Sequence, residues 1–181
     1  MNQALPTVSF ESRIELDIEV KSLEETYQEL VQIEDHDPFT PHKIQFYCII
    51  VVAEGSYSHY VDFDFYILKR GSALFISKNQ VHHFTEELQQ VKGVCMVINS
   101  QFVENKYFQS EKFRLNRLFN YYVESPVIHQ EDIGEDTFVR IARRIYYEFH
   151  YPNNVAKSEM LRAMIHILLL KSERIKSEQS V

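Results

Sequence analysis

Apolar and polar residues alternate along the segment RIELDIEVK. Ile14, Leu16, Ile18 and Val20 fall on one side and Glu15, Asp17 and Glu19 on the other, the period of a strand with one buried face. Ser22 then opens a helix. Glu25 stands three residues on, where it completes a capping box, and the helix SLEETYQELVQ is predicted to run to about Gln32. The loop EDHDPFTPH, broken by two prolines, separates this arm from a compact block of strands. KIQFYCIIVVAEG is nearly continuous apolar, too β-rich for a helix and ended by Gly55, so it predicts a central strand buried on both faces. YSHYVDFDFYIL alternates instead, with Tyr57, His59, Val61, Phe63, Phe65 and Ile67 on one face and Ser58, Tyr60, Asp62, Asp64, Tyr66 and Leu68 on the other. SALFIS, VHHF and VCMVIN predict further short strands, set off by KRG, KNQ and EELQQVKG. Short strands with turns at this spacing indicate an antiparallel sandwich or barrel.

From Ser100 the period becomes helical. FVENKYF, EKFRLNRLFNYY and EDTFVRIARRIYYEFH precede a long helix, KSEMLRAMIHILLLKSERIKS, with Pro126 and Pro152 in the breaks. The fold class is therefore α+β. An N-terminal arm of strand, helix and loop spans 1–40, a β-barrel spans 41–99, and a helical region spans 100–181. Length and composition allow this: 181 residues with 45% apolar content suffice for one domain with an appended helical region. A net charge of -7 disfavours nucleic-acid binding by this chain alone, since phosphate neutralisation needs a basic face. The charge is uneven, acidic over residues 11–35 and basic along the C-terminal helices, and reads as solvated helix faces. The longest helical apolar run, AMIHILLL, is too short to span a bilayer. The N-terminus lacks the charged and apolar regions of an export signal, so a cytoplasmic location is expected, with Cys48 and Cys95 as small buried thiols.

The series PHKIQFYCIIVVAEG, HYVDFDFYILKRGSALFIS and NQVHHF, ending in GVCMVINSQFV, resembles the N-terminal effector-binding and dimerisation domain of AraC-family transcriptional regulators. The resemblance is strong over roughly residues 41 to 103 and looser over the helical remainder, which fits the family's dimerisation segment. It implies a cupin-like double-stranded β-helix, a jelly-roll barrel, followed by an α-helical dimerisation region. In that family two helix-turn-helix units come next, so DNA contact is expected only through a domain missing from this chain. It also permits a test for metal. Counted from Gly55, the cupin ligand positions fall on Val61, Phe63 and Ile67 or Leu68, all apolar, and only His82 remains, after Asn79 at the turn position. One imidazole cannot hold zinc or iron in a three- or four-ligand site, and a nonstandard pairing with His59 finds no carboxylate on its face, so no metal and no other cofactor is expected.

By cupin parity His82 and Phe84 face the interior with Tyr57, His59, Phe63 and Phe65, while His83 points away. Such aromatic walls with imidazole handles suit a small-molecule effector. The alternative is a barrel filled by Phe side chains, with His59 and His82 satisfied by backbone carbonyls. Tyr47 is a further candidate whose direction cannot be read from a strand buried on both sides. His42, after Pro41, is either at the pocket mouth or exposed. Asp62 and Asp64 read as a solvated pair, and with four glycines and no partnered Cys and His, nothing argues for catalysis. In the last helix, Leu161, Ile165 and Leu168 are expected to meet their equivalents in a homodimer, with Met160, Met164 and Ile167 turned to the chain's own core. The expected function is a ligand-sensing and dimerisation domain of a transcriptional regulator. A stand-alone cupin enzyme, such as a dioxygenase or isomerase, and a pure assembly module with a filled barrel are the rivals.

Overall fold

The structure is a computed structural model that describes residues 4–10, 16–104, 118–119, 125–152 and 155–179. Among the described residues ten strands make two five-stranded sheets. In chain order these are β1 (Thr7–Val8), β2 (Ile18–Ser22), β3 (His42–Ile44), β4 (Tyr47–Glu54), β5 (Ser56–Val61), β6 (Asp64–Lys69), β7 (Ser72–Ile76), β8 (Val81–His83), β9 (Lys92–Ile98) and β10 (Val127–His129). One sheet has the order β1-β3-β8-β5-β6 and the other β10-β7-β4-β9-β2. They face each other as a cupin-like double-stranded β-helix. The helices are α1 (Leu23–Leu30), α2 (Ser100–Glu104), α3 (Phe138–His150) and α4 (Lys157–Gln179), so the class is α+β as expected.

The long apolar run is two strands, not one. The chain leaves the first sheet after Ile44 and enters the second at Tyr47, where β4 is the central strand between β7 and β9. Both faces of β4 are buried, as its composition predicts. Cys48, Ile50 and Val52 point between the sheets, while Tyr47, Ile49, Val51 and Ala53 join the core beneath the helices.

The alternating run 57–68 is a hairpin rather than a single strand. Val61 pairs with Asp64 around a two-residue turn at Asp62 and Phe63, where Asp62 takes a φ of 54° and its carboxylate accepts from Val81 N at 3.2 Å and from Gln80 Nε2 at 3.0 Å. A two-residue turn carries the period across unpaired positions, so odd-numbered residues face inward before it and outward after it. Tyr57, His59 and Val61 are buried, whereas Phe63 is fully exposed and Phe65 and Ile67 are exposed. The inward residue opposite Tyr57 is Leu68. Asn79, with a φ of 69°, makes the left-handed turn expected of it.

The barrel also reaches beyond 41–99. β2 pairs antiparallel with β9 from Ile18 opposite Ile98 to Ser22 opposite Val94, and β10 pairs with β7. Each covers an edge that would otherwise leave backbone groups unpaired. The arm therefore supplies β1 and β2 to the two sheets, and the region after residue 100 supplies β10.

The outer face of the second sheet packs on the helices. Ile18, Val20, Ile49, Val51, Met96 and Ile98 meet Phe138, Ala142 and Ile145 of α3 and Leu161, Ile165, Leu168 and Leu169 of α4 in one core. This reverses the expected roles of the two α4 stripes. Leu161, Ile165 and Leu168 are wholly buried within the chain, Met160 and Ile167 are exposed, and Met164 packs at the core margin. The leucine stripe wins the inner position because α4 has both α3 and the sheet to cover, and each such side chain contributes roughly 1.5–3 kcal/mol on burial. Of the predicted helices nearer the barrel, most of FVENKYF and EKFRLNRLFNYY lies outside the described residues, apart from α2 and the buried Leu118 and Phe119.

Candidate functional site

Between the sheets the barrel is packed at one end and hollow at the other. Ile50, Val52, Tyr57, Leu68, Leu74 and Leu88 fill the packed end. The hollow end is a cavity of about 660 Å³, walled by β1, β2, β3, β8 and β9 and roofed by α1 with the loop after it.

β2 supplies the charged wall. Ile18 and Val20 turn outward to the helices, so strict alternation turns Glu19 and Lys21 inward, into the cavity. The Lys21 ammonium donates to the Glu29 carboxylate of α1 and lies 3.9 Å from Glu19 Oε1. Glu19 Oε2 is buried without a hydrogen-bond partner. Helix α1 is aimed over the cavity by its capping box: Ser22 Oγ accepts from Glu25 N at 3.0 Å, and the Glu25 carboxylate accepts from Ser22 N at 2.6 Å. Its Leu23, Tyr27 and Leu30 pack on the inner core.

The opposite wall is imidazole. Strand pairing sets His42 beside His82, and Val61 on the other side of His82. His59, two residues from Val61, reaches His82 diagonally, with Nε2 of His59 3.0 Å from Nδ1 of His82 and the two rings stacked at 14°. Behind them the Tyr57 hydroxyl lies 3.2 Å from His59 Nδ1. His42 Nδ1–H donates to the Thr40 carbonyl at 2.9 Å, and its ring centroid is 4.6 Å from that of His82. His83 points the other way and stacks on Tyr60.

Burial sets the protonation of this group. His59 is driven down to about 3, by desolvation first and by the neighbouring His83 and His42 next. His82 is pushed well below its ordinary value by desolvation and then by His59. His42 is lowered by desolvation, against the raising effect of the Thr40 carbonyl. All three are neutral near pH 7 and act as hydrogen-bonding groups rather than as cations.

Of the residues singled out in the sequence, His42, His82 and Phe84 line the cavity. Tyr57 and His59 stand in the layer behind and reach the cavity through His82. Tyr47 does not belong to it: the residue sits on the outer face of β4 and packs edge-on against Phe119 at 4.8 Å. Phe63 does not belong to it either, because the turn carries its side chain into solvent. Sequence reasoning missed Glu19, Lys21 and Glu29, as well as the cavity position of Cys48 and Cys95. The two thiols are free and buried, with Sγ atoms 3.7 Å apart on neighbouring strands. The Cys48 thiol is held well above its ordinary value by its hydrogen bond to Cys95 and by burial. Charged residues alternating with Ile18 and Val20 were the one signal, and they look the same whether the polar face meets water or a cavity. Among the described residues no group of three or more His, Cys, Asp or Glu is arranged to hold a metal ion.

Residues 29–95 match the family model of the AraC-like ligand binding domain. Comparison with curated proteins gives no match. Among solved structures, vicilin from Capsicum annuum is similar at 17% identity with a TM-score of 0.28, over 65% of this chain and 38% of the vicilin chain. This chain thus spans well under half of that protein. No helix among the described residues is long and apolar enough to cross a membrane. The matched segment supplies α1's end, the imidazole wall and the floor of the cavity.

Proposed function

We propose that this chain is the ligand-sensing domain of an AraC-type transcriptional regulator, with a small-molecule effector held in the cavity beneath α1. The cavity itself supports this reading: about 660 Å³, lined in part by the segment that matches a ligand-binding family and in part by β1 and β2, with buried polar atoms of Glu19 and His82 left without partners. A protein selected only for packing fills such a space or satisfies such atoms. In this reading the chain catalyses nothing and works in the cytoplasm. DNA is contacted through an attached helix-turn-helix domain, and two copies associate through the helical region. With the leucine stripe of α4 inside the chain, Met160 and Ile167 are the apolar residues left on α4 for a second copy.

The test is a thermal-shift screen of small metabolites against this chain, with hits repeated on Leu30→Trp, which fills the cavity roof. Hits that stabilise the parent and leave the folded variant unmoved support the reading. Hits that stabilise both equally, or no hit at all, overturn it. Sedimentation of the parent and of Ile167→Glu tests the dimer separately.

A further inference from the structure

The hydrogen-bond chain from Tyr57 to His82 has a direction. Tyr57 is fully buried, and His59 Nδ1 is the partner within reach of its hydroxyl. A phenol left without an acceptor in that position is costly, so the O–H donates to His59 Nδ1. That nitrogen then carries no proton, and neutral His59 holds its proton on Nε2 and donates it to His82 Nδ1. His82, also neutral, must therefore be protonated on Nε2, a buried atom without a hydrogen-bond partner on a residue that lines the cavity. The reverse arrangement strands the hydroxyl hydrogen of Tyr57.

Across the barrel stands the opposite polarity. Glu19 Oε2 is an acceptor without a donor, on a residue 9% exposed. Lys21, the one lysine or arginine among the described lining residues, is already engaged by Glu29 and lies beside Glu19. At the rim Asp35 adds a further carboxylate, 3.3 Å from His36. The residues that line the cavity thus carry an unpartnered N–H on one wall and an unpartnered carboxylate oxygen on the other, with apolar sides from Phe10, Ile33, Ile44 and Phe46, and no unengaged lysine or arginine among them.

We propose that the effector is an amine or alcohol whose head donates to Glu19, with a second polar atom that accepts from His82 Nε2–H, and that carboxylates and phosphates are excluded. This rests on the cavity being the effector site. It adds the polarity of the ligand.

Two measurements test it. Long-range proton–nitrogen NMR correlation reads histidine tautomers directly, without any ligand. His59 and His82 are expected as Nε2–H and His42 as Nδ1–H; a His82 carrying its proton on Nδ1 overturns the proposal. The second uses tyramine, tyrosol and 4-hydroxyphenylacetate, which share a phenol and differ in an ammonium, hydroxyl or carboxylate head. By calorimetry or NMR titration tyramine and tyrosol should bind more than about tenfold tighter than the acid, and Glu19→Gln, nearly isosteric, should cost tyramine about tenfold. Equal or tighter binding of the acid overturns the polarity while leaving the cavity as the site. Failure of all three at millimolar concentration overturns the ligand class, and the proposed function falls only if the wider screen is also empty.

Discussion

Lowering the pH from about 7.5 to about 5 should destabilise this protein through its buried histidines. An unfolded histidine titrates near its ordinary value of about 6.5, whereas folded His59 titrates at about 3. Below about pH 6.5 the unfolded chain therefore binds a proton at this position that the folded chain refuses. Stability is complete above that value and falls with each further drop in pH by up to about 1.4 kcal/mol per such site. Integrated to about pH 5, His59 alone removes about 2 kcal/mol. His82 and His42 are shifted in the same direction and add to the loss. Against a total of about 5–15 kcal/mol for an ordinary domain, this is a large fraction. The carboxylates with lowered values, Glu25, Glu54 and Asp132, titrate below this window and do not mask it. Urea unfolding followed by circular dichroism across the range measures the slope. His59→Phe is expected to be less stable at neutral pH, because the Tyr57 hydroxyl and His82 Nδ1 lose their partner at about 1–3 kcal/mol each. Its stability should nevertheless depend on pH more weakly, by about one proton's worth. Stability that is flat from about pH 7.5 to about pH 5, or a variant with the parent's slope, would refute the account of the histidine wall.

Three further outcomes test the fold. A Cβ added at Gly93 would stand 2.1 Å from the Val51 carbonyl oxygen and 2.9 Å from Leu23 Cδ1, so Gly93→Ala must push β9 from β4 and should cost about 3 kcal/mol in urea unfolding. Leu168→Glu places a carboxylate in the core between α4 and the sheet, costs several kcal/mol, and should give an unfolded or molten chain by near-ultraviolet circular dichroism rather than a folded monomer. Phe63→Ser at the exposed turn should leave stability within about 0.5 kcal/mol and ligand binding unchanged, whereas a loss of binding would return Phe63 to the site.

The strands were legible because their periods are local. The alternation of Ile18, Glu19 and Val20, the doubly apolar β4, the Ser22 and Glu25 cap and the left-handed Asn79 are each written within a few residues, while residues 13–15 of the predicted first strand lie outside the described residues. What failed were decisions that depend on a partner. Asp62 and Phe63 alternate as well as any strand residue, and only the pairing of Val61 with Asp64 shows that the chain turns there and that Phe65 faces out. Tyr47 lay on a strand with no polar face to orient it, and the helix core on its side decided the matter. The two stripes of α4 are equally apolar, so the choice between them belongs to α3 and the sheet rather than to α4. The site was half visible. His82 and Phe84 came from parity, but Glu19 and Lys21 looked solvated because a polar face directed into a cavity has the same sequence pattern as one directed into water.

That double-faced strand bears on how a ligand could be felt outside the barrel. The sheet containing β2, β4 and β9 shows Glu19, Lys21, Cys48 and Cys95 to the cavity, and Ile18, Val20, Ile49 and Met96 to the helices. A ligand that engages Glu19 shifts the side-chain balance on a two-sided element whose other side is close-packed on α3 and α4, and a packed contact transmits small displacements rather than absorbing them. A second connection runs through the roof. The Tyr146 hydroxyl of α3 donates to the Glu25 carboxylate at 3.3 Å, the same carboxylate that caps α1 over the cavity. If α1 moves when a ligand binds, the displacement reaches α3 through that one hydrogen bond, while β2 acts on the same helix through its apolar face. Either connection can bias the helical region only to the extent that the ligand binds one arrangement more tightly than the other. Tyr146→Phe separates them: it removes the roof connection, leaves the β2 contact and the cavity intact, and should keep ligand affinity while reducing the ligand's effect on amide protection in α3, as read by hydrogen exchange.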